Sequence, residues 1–376
     1  MTVNNVLSIL RVVFLVVHHL YCYPAGLVWA LLIMPLYKIN ASLFHRLYEI
    51  LGYMMLTMGT WYTWSAGYGV LELGDDISPC DHEKTLVMIN HQTASDVIFL
   101  LSFLISRLEF IKNSMWIMNE EFKYTPFGTM CRVKRHFFIK IGKEKREQGL
   151  VDFKRHLEKY FANLNKKKIV LFPEGGFLHK RRAKSQKYAL ENNLPVLHNV
   201  CLPRLGAVQT TLDVCRSAEE KSKQTNDNTK SSELKWVLDI TIAYPGGHPI
   251  WVTDIAWASR TPCNVIFLYR LFPASQLPSD PDLVTRWLYG RWQEKDEILT
   301  KFYSTGSIPV EEVCKNPIPP RLLTQNPLEQ FAIHVFFLLS SYVLYKVYFL
   351  FFDPSLFLWL LFFYLIFLTL KVTKKI

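Results

Sequence analysis

Residues 85–96, Thr85-Leu86-Val87-Met88-Ile89-Asn90-His91-Gln92-Thr93-Ala94-Ser95-Asp96, decide how this chain is read. The first five form an unbroken β-branched and apolar run, the pattern of a buried strand, and residues 97–103 are again mostly apolar. His91 therefore stands where a strand ends. Thr93, Ser95 and Asp96 are residue types that accept hydrogen bonds from free backbone N–H groups, which predicts a helix starting between His91 and Phe99. A loop that opens a helix turns residues five apart toward each other. The Asp96 carboxylate then reaches one ring nitrogen of His91 and fixes its tautomer, and the other nitrogen is left to take a proton. Alone the pair is weak, because a histidine and an aspartate at this spacing recur by chance and a satisfied turn histidine explains them too.

A second strand end changes the balance. Lys168-Ile169-Val170-Leu171-Phe172 is another strand-like run, closed by Pro173-Glu174-Gly175-Gly176, so a charged residue and two glycines sit at its end. Open α/β sheets place their ligands at such ends. H-x4-D after one strand and F-P-E-G after another resemble, over residues 71–204, the glycerophospholipid acyltransferase family. The resemblance implies that His91 is the general base, that Asp96 orients it, and that Glu174 and Gly175 help to bind the acceptor. A third family block pairs phenylalanine and isoleucine with a basic residue, usually arginine. Phe138-Ile139-Lys140 fits with lysine in that place, keeping the charge and losing the bidentate fork. After F-P-E-G the family's threonine-arginine-serine gives way to Gly176-Phe177-Leu178-His179-Lys180-Arg181-Arg182, which resembles most the lysophosphatidylglycerol acyltransferase branch.

What the resemblance implies is an α/β domain with a mostly parallel or mixed sheet, flanked by membrane helices. Its expected reaction moves an acyl chain from acyl-CoA to the free hydroxyl of a lysophospholipid such as lysophosphatidylglycerol or lysophosphatidylethanolamine. A glycerol-phosphate or lysophosphatidic-acid acceptor is the alternative. Acyl-CoA is a co-substrate, and the reaction asks for no metal or cofactor because a thioester is already activated. Lys140 and Arg182 are the expected phosphate contacts, with Glu174 fixing one of the basic groups. The expected location is the endoplasmic reticulum membrane, multi-pass, with the acyltransferase domain cytosolic.

Composition agrees with a membrane protein. Of the 376 residues 50% are apolar and 14% aromatic, high for a soluble chain. The net charge of +11 is concentrated, since residues 132–187 hold 18 Lys and Arg against 5 Asp and Glu. Such a region asks for an anionic partner, and with no nucleic-acid motif present, phosphate-bearing lipid and coenzyme A are expected. Seven cysteines, odd in number and without C-x-x-C, indicate neither a disulfide framework nor a zinc site.

In chain order, residues 1–72 are expected to anchor the protein, with one spanning or re-entrant segment over 6–37 and a helix in or through the interface over 43–70. Residues 73–325 are the expected acyltransferase domain. Within it 147–164 has helical spacing, 185–192 is a further helix, 195–203 a strand, 216–234 a disordered insertion, 236–244 and 264–270 strands, and 282–302 a Trp-rich closing helix. His248 and Asp254 form a weaker second pair, read as loop residues. Residues 326–376 are expected to make a transmembrane hairpin, or one span and a re-entrant helix. A rival from another class is a non-catalytic membrane protein that binds anionic lipid, which leaves His91, Asp96 and Glu174 unexplained.

Overall fold

The computed structural model describes residues 3–351 apart from 141, 143, 145, 163–165 and 226–232. The expected second C-terminal segment at 355–370 lies outside the described residues. Two long helices open the chain, α1 (Val3–Ile33) and α3 (Ala41–Trp64), joined by the short α2 (Leu36–Ile39). Strands β1 (Gly69–Asp75) and β2 (Thr85–Ile89) lead to α4 (Ser95–Ile105), α5 (Leu108–Asn113) and β3 (Ser114–Asn119). Next come α6 (Pro126–Val133), β4 (Phe137–Ile139), α7 (Arg146–Leu157), β5 (Lys168–Leu171), α8 (Leu178–Glu191) and α9 (Leu205–Thr225). The remainder is β6 (Trp236–Ala243), α10 (Val252–Trp257), β7 (Asn264–Pro273), α11 (Pro281–Thr305), α12 (Val310–Val313), β8 (Pro317–Leu323) and α13 (Pro327–Phe351).

The strands form one mixed sheet in the order β4-β3-β5-β2-β6-β7-β1-β8. From β4 to β6 they run parallel, and β7 then turns antiparallel to β6. Side chains of β2 alternate between two cores: Leu86 and Met88 pack with α7, α9 and α11, whereas Val87 and Ile89 pack with α4 and α5. Burial on both faces is why this strand reads as a continuous apolar run. A third cluster joins α1, α3 and α13 through Tyr48, Met58 and Phe337, while Leu7, Leu10, Leu31 and Leu339 remain exposed on the outer faces. Val6–Ile39 and Pro327–Phe349 are long and apolar enough to cross a membrane.

Several boundaries differ from expectation. Residues 195–203 are not a strand: the N–H groups of His198 and Asn199 donate to the Asp296 carboxylate, that of Cys201 to Glu174 and that of Leu202 to the Ser185 hydroxyl, so side chains satisfy this backbone in place of a sheet neighbour. The disordered insertion expected over 216–234 is corrected as well. Helix α9 continues to Thr225, its Arg216 guanidinium donating to the carbonyls of Pro278 and Ser279, and residues 226–232 lie outside the described residues. The helix expected to start between His91 and Phe99 runs from Ser95 to Ile105, and α8 starts seven residues before the expected 185. Strand β1 begins at Gly69 and pairs with β7 and β8, so the sheet starts ahead of residue 73.

Helix α11 closes the domain over a buried ionic triad, with Lys295 Nζ 2.5 Å from Asp239 and Arg270 Nη2 2.8 Å from the same carboxylate. Removing one member of such a set strands a buried charge. Lys295→Met is therefore expected to lower stability by about 3–5 kcal/mol, measured by denaturant unfolding of the purified protein.

Candidate active site

Because β2 and β5 are neighbours and parallel, the loops that leave them meet on one edge of the sheet. Each is pinned by its own side chains. Asn90 extends the β2–β6 ladder with its amide, Nδ2 donating to the Ile242 carbonyl at 3.0 Å and Oδ1 accepting from the Ile242 N–H at 2.7 Å. Gln92 donates to the Ile242 carbonyl and to Tyr303, and Thr93 donates to the Ile250 carbonyl.

Inside this loop Asp96, fully buried in the first turn of α4, accepts from four donors. Its Oδ2 takes His91 Nδ1 at 2.8 Å and the N–H groups of Gln92 at 2.6 Å and Thr93 at 3.0 Å. Its Oδ1 takes the Tyr244 hydroxyl at 2.5 Å. Burial first, and then the charge of Asp96, push the Tyr244 phenol well above its ordinary value, so it stays a donor. With Asp96 accepting at Nδ1, the hydrogen-bond network assigns the proton to that nitrogen and leaves Nε2 with its lone pair. The ring is held flat against Phe172, 4.3 Å between centroids, and edge-on to Phe177 at 4.6 Å.

Glu174 makes no ion pair with a basic side chain among the described residues. Its Oε1 accepts the His91 N–H at 3.1 Å and the Trp292 indole at 3.3 Å, and its Oε2 accepts the Cys201 N–H at 3.0 Å. The expected pairing with Lys140 or Arg181-Arg182 is thus replaced by a clamp on two backbone segments, because a carboxylate buried at 1% exposure takes the donors already lining its site. Burial pushes this carboxyl up to about 8, against the pull of the Cys201, His91 and Trp292 donors and of the Lys295 ammonium.

The turn after Glu174 needs its glycines. Gly175 has φ 68° and Gly176 φ 157°, and a β-carbon on Gly176 would come within 2.8 Å of Arg181 Cδ. Arg181 and Arg204 flank the turn: Arg181 Nη1 donates to the Gly175 carbonyl at 3.0 Å, and the Arg204 N–H to the Pro173 carbonyl at 2.8 Å. Partial burial, then repulsion by Arg181 and Arg146, brings Arg204 down to about 10. Lys140 and Arg182 are both exposed. Lys140 follows β4, two strands beyond β5 on the same edge, and among the described residues no hydrogen bond or ion pair ties it to His91 or Glu174. Asp254 serves as a cap, accepting from the Trp251 N–H and the Ser259 hydroxyl, so it makes no pair with His248.

Sequence reasoning missed Tyr244, Trp292 and Arg204. Tyr244 ended a recognised strand and Arg204 followed the expected strand over 195–203, but neither position signals which loop it will meet.

A mixed α/β sheet with a His–Asp pair after one strand and a glycine turn after its parallel neighbour defines a lipid acyltransferase architecture. Residues 75–199 match the family model described as acyltransferase, and residues 258–329 match the one described as acyltransferase C-terminus. A human protein named acyl-CoA:lysophosphatidylglycerol acyltransferase 1 is 36% identical over 345 residues, covering 90% of this chain and 93% of that protein. Its mouse counterpart is 34% identical over the same shares, and chicken lysocardiolipin acyltransferase 1 is 26% identical over 260 residues, 68% of this chain and 62% of that protein. The chain belongs to the acyltransferase family.

The raised Glu174 value gives a pH prediction with a defined sign. An acid whose folded value lies above its unfolded 4.5 adds stability that is complete below 4.5 and is lost as pH rises through about 8. Melting temperature is therefore expected to fall between those limits in the unaltered protein and to fall less in Glu174→Gln. Parallel slopes for the two proteins would contradict the assignment.

Proposed function

We propose that this chain transfers the acyl group of acyl-CoA to the free hydroxyl of a lysophospholipid, with lysophosphatidylglycerol or a closely related head group as acceptor. One observation supports it above the rest: the His91 ring is fixed by Asp96 at Nδ1 and by Phe172 and Phe177 on its sides, so Nε2 has one orientation. Nε2 takes the proton of the lysolipid hydroxyl as the hydroxyl oxygen attacks the thioester carbonyl. Asp96 faces the imidazolium that forms, and the proton then passes to the departing coenzyme A thiolate. The names of the human and mouse relatives support the acyl donor and this acceptor class.

For the developing oxyanion the available donors are the N–H groups of Gly176 and Phe177, which have no acceptor among the described residues. Those of Gln92, Thr93 and Gly175 are already engaged. Glu174 and Gly175 act by shaping the turn and holding the His91 backbone. Arg181 and Arg204 meet the acceptor phosphate beside that turn, and Lys140 and Arg182, exposed further out, attract the anionic lipid or coenzyme A. The domain over 73–325 works at a membrane that α1 and α13, from the N-terminal region 1–72 and the C-terminal region 326–376, enter. The endoplasmic reticulum, with the domain on its cytosolic side, fits the free thiols of all seven cysteines.

His91→Ala is expected to cut turnover by about 10²–10⁴ with folding unchanged, because the ring makes a local set of contacts and general-base assistance is worth that much. Asp96→Asn is expected to be comparably severe, since an amide nitrogen would oppose one of four donors. Radiolabelled acyl-CoA and a panel of lysophospholipids provide the assay, and near-normal turnover by His91→Ala would sink the mechanism.

Arg204→Ala is expected to raise KM for the lysolipid more than it lowers kcat, because phosphate binding changes little during acyl transfer. An equal effect on a neutral acceptor such as a monoacylglycerol would place Arg204 outside the phosphate site.

A further inference from the structure

Helix α10 and its flanks present apolar side chains for which the domain provides no cover. Trp251, Val252 and Trp257 are 44%, 46% and 43% exposed. The segment is fastened to α1, whose Arg11 guanidinium donates from Nε at 3.2 Å and from Nη2 at 3.0 Å to the Ile255 carbonyl. On that stretch of α1 Leu7 and Leu10 are 60% and 59% exposed, and Trp64 at the end of α3 is 41% exposed. Six large exposed apolar side chains thus lie on three elements that meet at Arg11, which also donates to the Tyr62 carbonyl and the Ser65 hydroxyl, and one of these elements is a helix long and apolar enough to cross a membrane.

A line of rings leads from this surface to the reacting histidine. Trp251 lies 4.8 Å from His179, His179 is stacked 5.7 Å from Phe177, and Phe177 is edge-on to His91 at 4.6 Å. The one acidic residue in 251–263, Asp254, has both oxygens engaged within the segment. No free carboxylate there opposes an anionic headgroup.

We infer that the segment 251–257 is seated in the bilayer interface and forms the membrane-side rim of the site, over which the lysolipid passes to His91. Tryptophans favour the headgroup boundary, where the ring is dehydrated and the indole N–H keeps a partner. The inference rests on the membrane and acyltransferase readings above and names the part of the soluble-looking domain that touches lipid.

The test uses the full chain reconstituted in phosphatidylcholine nanodiscs. Val252→Cys is made in a Cys263→Ser/Cys314→Ser background, the other five cysteines being buried, and labelled with an environment-sensitive fluorophore. Ser275→Cys, exposed at the opposite edge of the sheet, is the control. Brominated lipid chains are expected to quench the label at 252 and aqueous iodide the label at 275. Iodide quenching at 252 equal to that at 275 overturns the inference, and that measurement does not depend on turnover.

A second arm uses Trp251→Ser/Trp257→Ser. KM is expected to rise about tenfold for a long-chain lysophospholipid presented in vesicles, with no change for a short-chain one dispersed below its critical micelle concentration. Equal changes for both presentations overturn the rim. Absence of acyl transfer by the unaltered chain would instead remove the proposed function and leave the depth result standing.

Discussion

The Glu174 carboxylate holds the site together. Its two oxygens join the N–H of His91, on the loop after β2, to the N–H of Cys201, on the segment before α9, and Trp292 of α11 braces it from behind. Three stretches far apart in the chain therefore share one buried carboxyl group. Burial disfavours its charged form, and its oxygens are satisfied because the His91 and Cys201 N–H groups and the Trp292 indole donate to them. The position of the His91 backbone, and hence of its ring, follows from that constraint.

Helix α11 extends the same logic. Along one face it presents Trp292 to Glu174, Lys295 to Asp239, Asp296 to the N–H groups of His198 and Asn199, and Tyr303 to Gln92. A helix read from its tryptophans as a closing element is also the support for both loops of the site. The segment 195–203 is irregular for this reason: α11 and Glu174 provide its acceptors, and no strand neighbour is required.

The terminal helices bring polar groups into an apolar setting. His18 contacts the Tyr62 hydroxyl at 3.1 Å and Tyr21 contacts His334 at 2.7 Å, so α1, α3 and α13 are joined by hydrogen bonds as well as by packing. In lipid, where tails offer no hydrophobic advantage to helix pairing, such contacts and close packing set the arrangement. Arg11 does the same between α1 and α10, fastening an apolar helix to the domain through the Ile255 carbonyl.

By itself the sequence determined what is local. Period, β-branched content and turn chemistry located β2, β5, β6, β7 and the body of α11, and they put His91, Asp96, Glu174 and Gly175 at strand ends. The five-residue spacing of His91 and Asp96 is closed by the loop that opens α4, so their 2.8 Å contact was legible too. Tertiary structure decided what depends on partners distant in sequence. That β5 lies beside β2, that Tyr244 reaches Asp96 and that Glu174 clamps backbone all follow from sheet order, which no local pattern encodes. The course of α9 through a polar stretch was hidden for the opposite reason. Residues 216–225 lack the large apolar side chains that mark a helix, and the stretch stays helical as the continuation of a turn sequence nucleated in the buried run from Val208 to Cys215.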